Sequence, residues 1–194
     1  MRVSREQVAK NRERVLDVAA RLFRERGFDG VGVSDLMKAA GLTHGGFYGH
    51  FASKEDLMAQ ACARALAGSL DRWSRLANDA PEGPLRAIAA SYLSAAHRDR
   101  PGEGCLLAAL GTDASRQAAP VRRTVTEGLR SVVAALTKLI PGRSEAVKRE
   151  RALATFASLV GAIVLARAVD DAALSDEILK AVSATISGPP PSRS

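Results

Sequence analysis

The chain has 194 residues, of which 46% are hydrophobic and only 4% aromatic, and 28 basic against 21 acidic side chains give a formal net charge of +7. Alanine and leucine dominate and β-branched runs are short, which favours an all-α fold; two cysteines without Cys-x-x-Cys or Cys/His spacing exclude a disulfide scaffold and imply no metal. The basic balance points to an anionic partner, and the absence of a secretory segment or of any apolar run near the ~20 residues of a membrane span leads us to expect a cytoplasmic chain with no membrane partner.

About nine helices are expected. The first covers residues 5–26, with Val8, Val15, Val18, Ala19, Leu22 and Phe23 on one face, Gly27 as its stop and Phe28 packed beneath it. Residues 2–26 hold eight basic side chains against four acidic ones, although residues 116–151 are basic as well. Ser34 is the expected N-cap of a short second helix carrying Leu36, Ala39 and Ala40, which Gly41 ends. After the turn at Gly41 and Leu42, Thr43 caps a third helix whose Phe47 and Phe51 share a buried face. Two short helices across a glycine turn make a helix-turn-helix.

Ser53-Lys54-Glu55-Asp56 fits a capping box, and Leu57, Ala61, Leu66 and Leu70 carry a long fourth helix towards Trp73 and Leu76. Lys54 stands where a cation opposes the helix dipole, a poor choice for stability that a nearby phosphate would explain. Beyond "NDAPEGP" (residues 78–84), helices are expected at about 84–98, 105–117, 119–139, 146–169 and 175–187, and the proline tail 189–194 is expected to be disordered. The expected division is a helix-turn-helix head at 5–53, with its motif at about 34–50, and a larger helical domain at 54–188.

The stretch "VSDLMKAAGLTHGGFYGHFASKEDL", residues 33–57, resembles the DNA-binding signature of the TetR family of bacterial transcriptional regulators. The resemblance is strongest over residues 11–58, and the later helices fit the family only in number, length and order. It implies that His44–His50 is the recognition helix. Thr43, Tyr48 and His50 would then touch phosphates, while His44 and the backbone around Gly45 and Gly46 face base edges. Missing side chains at Gly45 and Gly46 would let this helix lie close against DNA. Gly49 and Gly46 stand where the family often has side chains, so base readout is thin and leans on His44, on Ser34 and Lys38, and on DNA shape.

The resemblance also implies a ligand-binding and dimerisation domain. An apolar pocket would be shaped by Trp73, Leu76, Tyr92, Cys105, Leu106, Leu110 and Phe156. A four-helix dimer interface would use Phe156, Leu159, Val160, Ile163 and Val164 of one helix and Ile178, Leu179, Val182 and Ile186 of the next. Cys105 opens a helix near Arg98 and Arg100, a setting that activates a thiol, and "GCLLAALG" (residues 104–111) resembles the branch of the family thought to sense electrophiles or oxidants. His44, His50 and His97 have no nucleophile or carboxylate constellation around them, which argues against an enzyme. The expected function is a homodimeric repressor, without cofactor, released from palindromic double-stranded DNA by a small-molecule or thiol-reactive effector.

Overall fold

A computed structural model describes residues 4–187, so the tail expected at 189–194 lies outside the described residues. Helix α1 is Arg5–Arg26, α2 Val33–Ala39, α3 Lys54–Asp79, α4 Pro84–Tyr92, α5 Ala95–Asp99, α6 Leu106–Ser115, α7 Ala119–Leu139, α8 Glu145–Ala168 and α9 Ala172–Ser187; 3-10 turns cover His44–Gly49 and Pro101–Glu103. The all-α expectation holds.

Local chemistry explains most of the boundaries. Ser4 caps α1 by accepting from the Gln7 N–H, and Gly27, at φ 77°, ends the helix with its N–H on the Phe23 carbonyl. Val8, expected on the buried face, is exposed, because the packed face begins only at Val15. The helix expected over 84–98 breaks at Ser94, which takes an extended conformation and accepts from the His97 N–H to start α5. Helix α9 begins three residues before the expected position, because the Asp171 carboxylate accepts from the N–H groups of Ala173 and Leu174. Ser175, the expected start, is instead buried, and its hydroxyl donates to the Ala166 carbonyl.

The chain forms two compact units, Met1–Ala67 with Pro101–Gly128, and Gly68–Arg100 with Leu129–Ser194. The expected boundary between residues 53 and 54 is therefore not where the compactness changes. The first half of α3 lends Leu57, Met58, Ala61, Cys62, Ala65 and Leu66 to the head's core, which Leu106, Leu110, Ala114 and Val121 complete. The 101–104 segment is tied to α1 by Arg24, whose Nη1 donates to the Gly104 carbonyl at 2.7 Å.

In the second unit Trp73 packs edge-on against Tyr92 and Phe156, with ring centroids 6.1 and 6.0 Å apart. Arg98 joins α5 to α9 through Ser175 and Asp176 at 3.0 and 2.7 Å. Helix α8 buries Ala152, Phe156, Leu159, Ala162, Ile163 and Ala166 along one face. Its opposite face leaves Leu153, Val164 and Leu165 exposed. By length and composition alone α8 is long and apolar enough to cross a bilayer, which corrects the expectation that no stretch approaches that length. Its alanines, Gly161, Thr155 and Ser158 interrupt no charge-free run, so apolarity extends round the helix rather than along one stripe.

Helix α7 crosses α3 at Gly128, where a Cβ would lie 2.9 Å from Leu66 Cγ. Gly128→Val is expected to overpack this crossing and cost about 1–3 kcal/mol. Chemical denaturation checks it, and Leu66→Ala in the same chain should recover part of the loss.

Candidate nucleic-acid interface

The head's outward segment is built on two phenylalanines. Phe47 and Phe51 are 1% and 2% exposed, with ring centroids 5.7 Å apart, and they fix "HGGFYG" against α1, α2 and α3. The segment is a 3-10 helix over His44–Gly49 rather than the expected α-helix. Six residues with three glycines are too short and too flexible to nucleate an α-helix on their own.

Several sequence-derived roles shift. Ser34 is not the cap of α2. Gly32 holds that position without a side-chain hydrogen bond, and Ser34 lies inside the helix with its Oγ 3.0 Å from His44 Nδ1. Thr43 takes the N-cap conformation but makes no capping hydrogen bond, so its exposed hydroxyl is left to solvent or a ligand. Lys54 has a partner inside the protein: its Nζ donates to the Phe28 carbonyl at 2.8 Å, which gives it a reason to stand at the start of α3 besides a phosphate. The capping box forms in its Ser53 half, and its reciprocal bond is shifted by one residue. Ser53 Oγ accepts from the Asp56 N–H, and the Asp56 carboxylate accepts from the Ala52 N–H. These bonds begin α3 right after Phe51.

Tyr48 is 72% exposed, and Lys38, Thr43 and His44 are exposed beside it. His50 is half-buried, with Nδ1 inside and unpartnered, so only Nε2 is available outward. The glycines decide what this surface can do. Positive φ occurs, among the described residues, only at Gly27 and Gly41. A Cβ at Gly45 or Gly49 would meet nothing within 4 Å, and at Gly46 it would make ordinary contact with Met37 and Thr43 at 3.6 and 3.7 Å. Neither backbone conformation nor internal packing demands glycine at these three positions.

Residues 15–61, covering α1 from Val15 to the first turns of α3, match the model of bacterial regulatory proteins of the tetR family. This stretch of the chain is a TetR-family DNA-binding head. It is 37% identical over 59 residues to the HTH-type transcriptional regulator AcrR of Shigella flexneri, a match spanning 30% of this chain and 27% of that regulator's length. It is 28% identical over 137 residues, 69% of each chain, to the HTH-type transcriptional repressor NemR of Escherichia coli. The crystal structure of E. coli NemR in its reduced form superposes with a TM-score of 0.75 at 27% identity, covering 91% of this chain and 95% of that one. A TetR-family regulator from Cytophaga hutchinsonii shares the fold over the whole of both chains, with a TM-score of 0.78 at 21% identity.

Outside the TetR head, the expected pocket residues separate. Trp73, Tyr92 and Phe156 cluster in the second unit, Leu76 is half-buried, and Leu106 and Leu110 are core of the first unit, with Cys105 buried at the N-cap of α6. Arg98, expected to activate Cys105, spends its guanidinium on Asp99, Asp176 and Ser175. The expected dimer stripe divides likewise. Phe156, Leu159, Ile163 and Leu179 are buried inside the protomer and unavailable to a partner; Val160, Ile178, Val182 and Ile186 are half-buried, and Val164 is exposed. Sequence reading missed Leu153, Leu165 and Leu174, all exposed, because a helix apolar on both sides does not reveal which side faces its own core.

Gly45→Ala separates the needs of the fold from those of a ligand. With open space at the Cβ, it is expected to leave stability unchanged or raise it by about 0.5–1 kcal/mol while weakening duplex binding at least tenfold. Thermal unfolding and fluorescence anisotropy on the same samples check both halves.

Proposed function

We propose that the chain is a homodimeric transcriptional repressor, acting in the cytoplasm, whose two heads read a palindromic operator in successive major grooves and are released by a small-molecule or thiol-reactive effector. The observation that carries DNA reading is the bare outer surface of "HGGFYG". Its glycines serve neither backbone nor core, so their use lies in letting an external surface come close. Around them Thr43, Tyr48, His50 and Lys38 offer hydroxyls, an imidazole and a cation, the groups that bind phosphate oxygens. Lys54 adds two remaining ammonium protons beyond the one given to Phe28. A single module of this size discriminates weakly, and pairing two heads on a two-fold site multiplies the preference.

A second copy is the partner that the apolar face of α8 and α9 suits. Leu153, Val164 and Leu165 line the open side of α8 and Leu174 stands at the start of α9. Small residues between them, Ala154, Ala157, Gly161 and Ala168, permit close helix approach. A two-fold operator requires a two-fold protein.

For the effector, the aromatic group of Trp73, Tyr92 and Phe156 supports an apolar ligand in the second unit. Cys105, at the N-cap of α6, supports a thiol-reactive one, as does similarity to a repressor known in a reduced form. Either ligand acts by favouring a dimer whose recognition segments no longer match the groove spacing. A palindrome enriched from a randomised duplex pool by the full chain tests the whole reading; enrichment of no sequence contradicts it.

Two outcomes follow from this arrangement. Leu165 is 56% exposed in the protomer, so Leu165→Glu should fold normally. At the dimer interface the buried carboxylate should cost about 3 kcal/mol or more, read in sedimentation as a shift to monomer with loss of operator binding. The Cys62 thiol is pushed up to about 12 by burial, despite the nearby Arg24. Because that value is raised, Cys62 stays protonated in the folded chain, and its contribution to stability is lost only as pH rises above the ordinary thiol range. Mass-mapped alkylation between pH 7 and 8 is therefore expected to modify Cys105 before Cys62, with Cys62 reacting only in denaturant.

A further inference from the structure

Among the polar groups on the recognition surface, one pair is joined across two elements. Ser34 is the second residue of α2 and His44 the first of the 3-10 turn, and Ser34 Oγ lies 3.0 Å from His44 Nδ1. Both side chains are exposed, so this bond contributes little to stability. Its consequence is for the ring. An imidazole on an exposed segment flanked by Gly45 and Gly46 has no packing to hold its rotamer. The Ser34 hydroxyl supplies the missing restraint and occupies Nδ1, so Nε2 is the one ring atom left to meet a ligand.

We propose that Ser34 and His44 act as a single reading device, in which Ser34 is the positioning residue and His44 Nε2–H donates to an acceptor on a base edge. The inference rests on the DNA reading given above and names the contact that gives it sequence preference. The polarity follows from the ring's chemistry. In the neutral ring, a hydroxyl donating to Nδ1 leaves the proton on Nε2. In the protonated ring both nitrogens carry protons and Ser34 accepts. The negative field of the duplex favours these two states over one that turns a lone pair towards DNA. The acceptors presented in the major groove are guanine N7 and O6, adenine N7 and thymine O4, with guanine offering two together. No side chain at 45, 46 or 49 competes for the same edge, so the preference at that base pair depends on His44 and, through it, on Ser34.

The test uses the full-length chain and the duplex that it enriches from a randomised pool. Affinities for that duplex and for a scrambled one are measured with wild type, Ser34→Ala, Ser34→Thr, His44→Ala and the Ser34→Ala/His44→Ala double variant. His44→Ala is expected to lower the ratio of the two affinities about tenfold, within the range for one base contact. Ser34→Ala should lower it by most of that factor, Ser34→Thr should restore it, and the double variant should be no worse than His44→Ala alone. Replacing the contacted purine by its 7-deaza form, or a contacted thymine by cytosine, should cost wild type the same factor and His44→Ala nothing. In the DNA-free protein, long-range 1H–15N spectra should show His44 protonated at Nε2 in wild type and a changed tautomer balance in Ser34→Ala. Independent, multiplying losses for Ser34→Ala and His44→Ala, or an unchanged tautomer balance, overturn the pairing while leaving DNA reading intact. Enrichment of no sequence by wild type overturns both.

Discussion

Burial of Phe47 and Phe51 is the interaction on which the candidate interface depends, because the segment they anchor has little reason to be ordered by itself. Three glycines in six residues cost about 1 kcal/mol each relative to alanine in a helical turn, and a 3-10 turn of this length gains few hydrogen bonds. Two phenylalanines taken wholly out of water return about 1.5–3 kcal/mol each. Tertiary burial therefore outweighs local preference, and the segment is rigid because of what lies under it. Such an arrangement frees the outer surface from any structural duty, which is what a close approach to a ligand requires.

The rest of the head serves that anchoring. Helix α1 supplies Val15, Leu16, Ala19, Leu22 and Phe23 as the floor, and Phe23 meets Phe28 at 5.4 Å between centroids. Arg64 bridges from α3 to Glu13 and Asp17 of α1 at 2.5 and 2.9 Å, but all three side chains are well exposed, so these ion pairs contribute less than the apolar contacts below them. The Lys54 bond to the Phe28 carbonyl closes the α1–α2 connection onto the start of α3. The same lysine was legible in the sequence as an anomaly against the helix dipole, yet the carbonyl that resolves it lies 26 residues earlier in the chain and had no local signal.

Periodicity made α1, α7 and the run of α3 through Trp73 readable, since long helices with a regular apolar face leave a strong pattern. Caps read less well. Ser34 and Thr43 are the right residue types, but Gly32, extended and two residues before Ser34, is the N-cap of α2, which places Ser34 inside the helix and frees it to reach His44. The break at Ser94 was hidden because Tyr92 and Leu93 continue an apolar rhythm across it. Helix α6 looks in sequence like part of the later domain, and only the packing of Leu106 and Leu110 shows that it completes the head's core. In α8 the expected stripe mixed two sides, because Phe156, Leu159 and Ile163 fill their own unit while Val164 faces out, as do Leu153 and Leu165, which the periodicity did not single out.

A competing basic segment lies in the same chain. Residues 116–151 carry nine basic side chains against three acidic ones, and Arg122, Arg123, Arg130, Lys138 and Arg149 are exposed. Charge alone would send a polyanion there rather than to "HGGFYG". Amide hydrogen exchange of the full chain with and without its enriched duplex distinguishes the two surfaces directly. Reading through the glycine segment predicts slowed exchange at Gly45, Gly46, Tyr48 and the start of α2, with little change between Arg122 and Arg151. Slowed exchange concentrated at Arg122–Arg151, with Gly45–His50 unaffected, would contradict it.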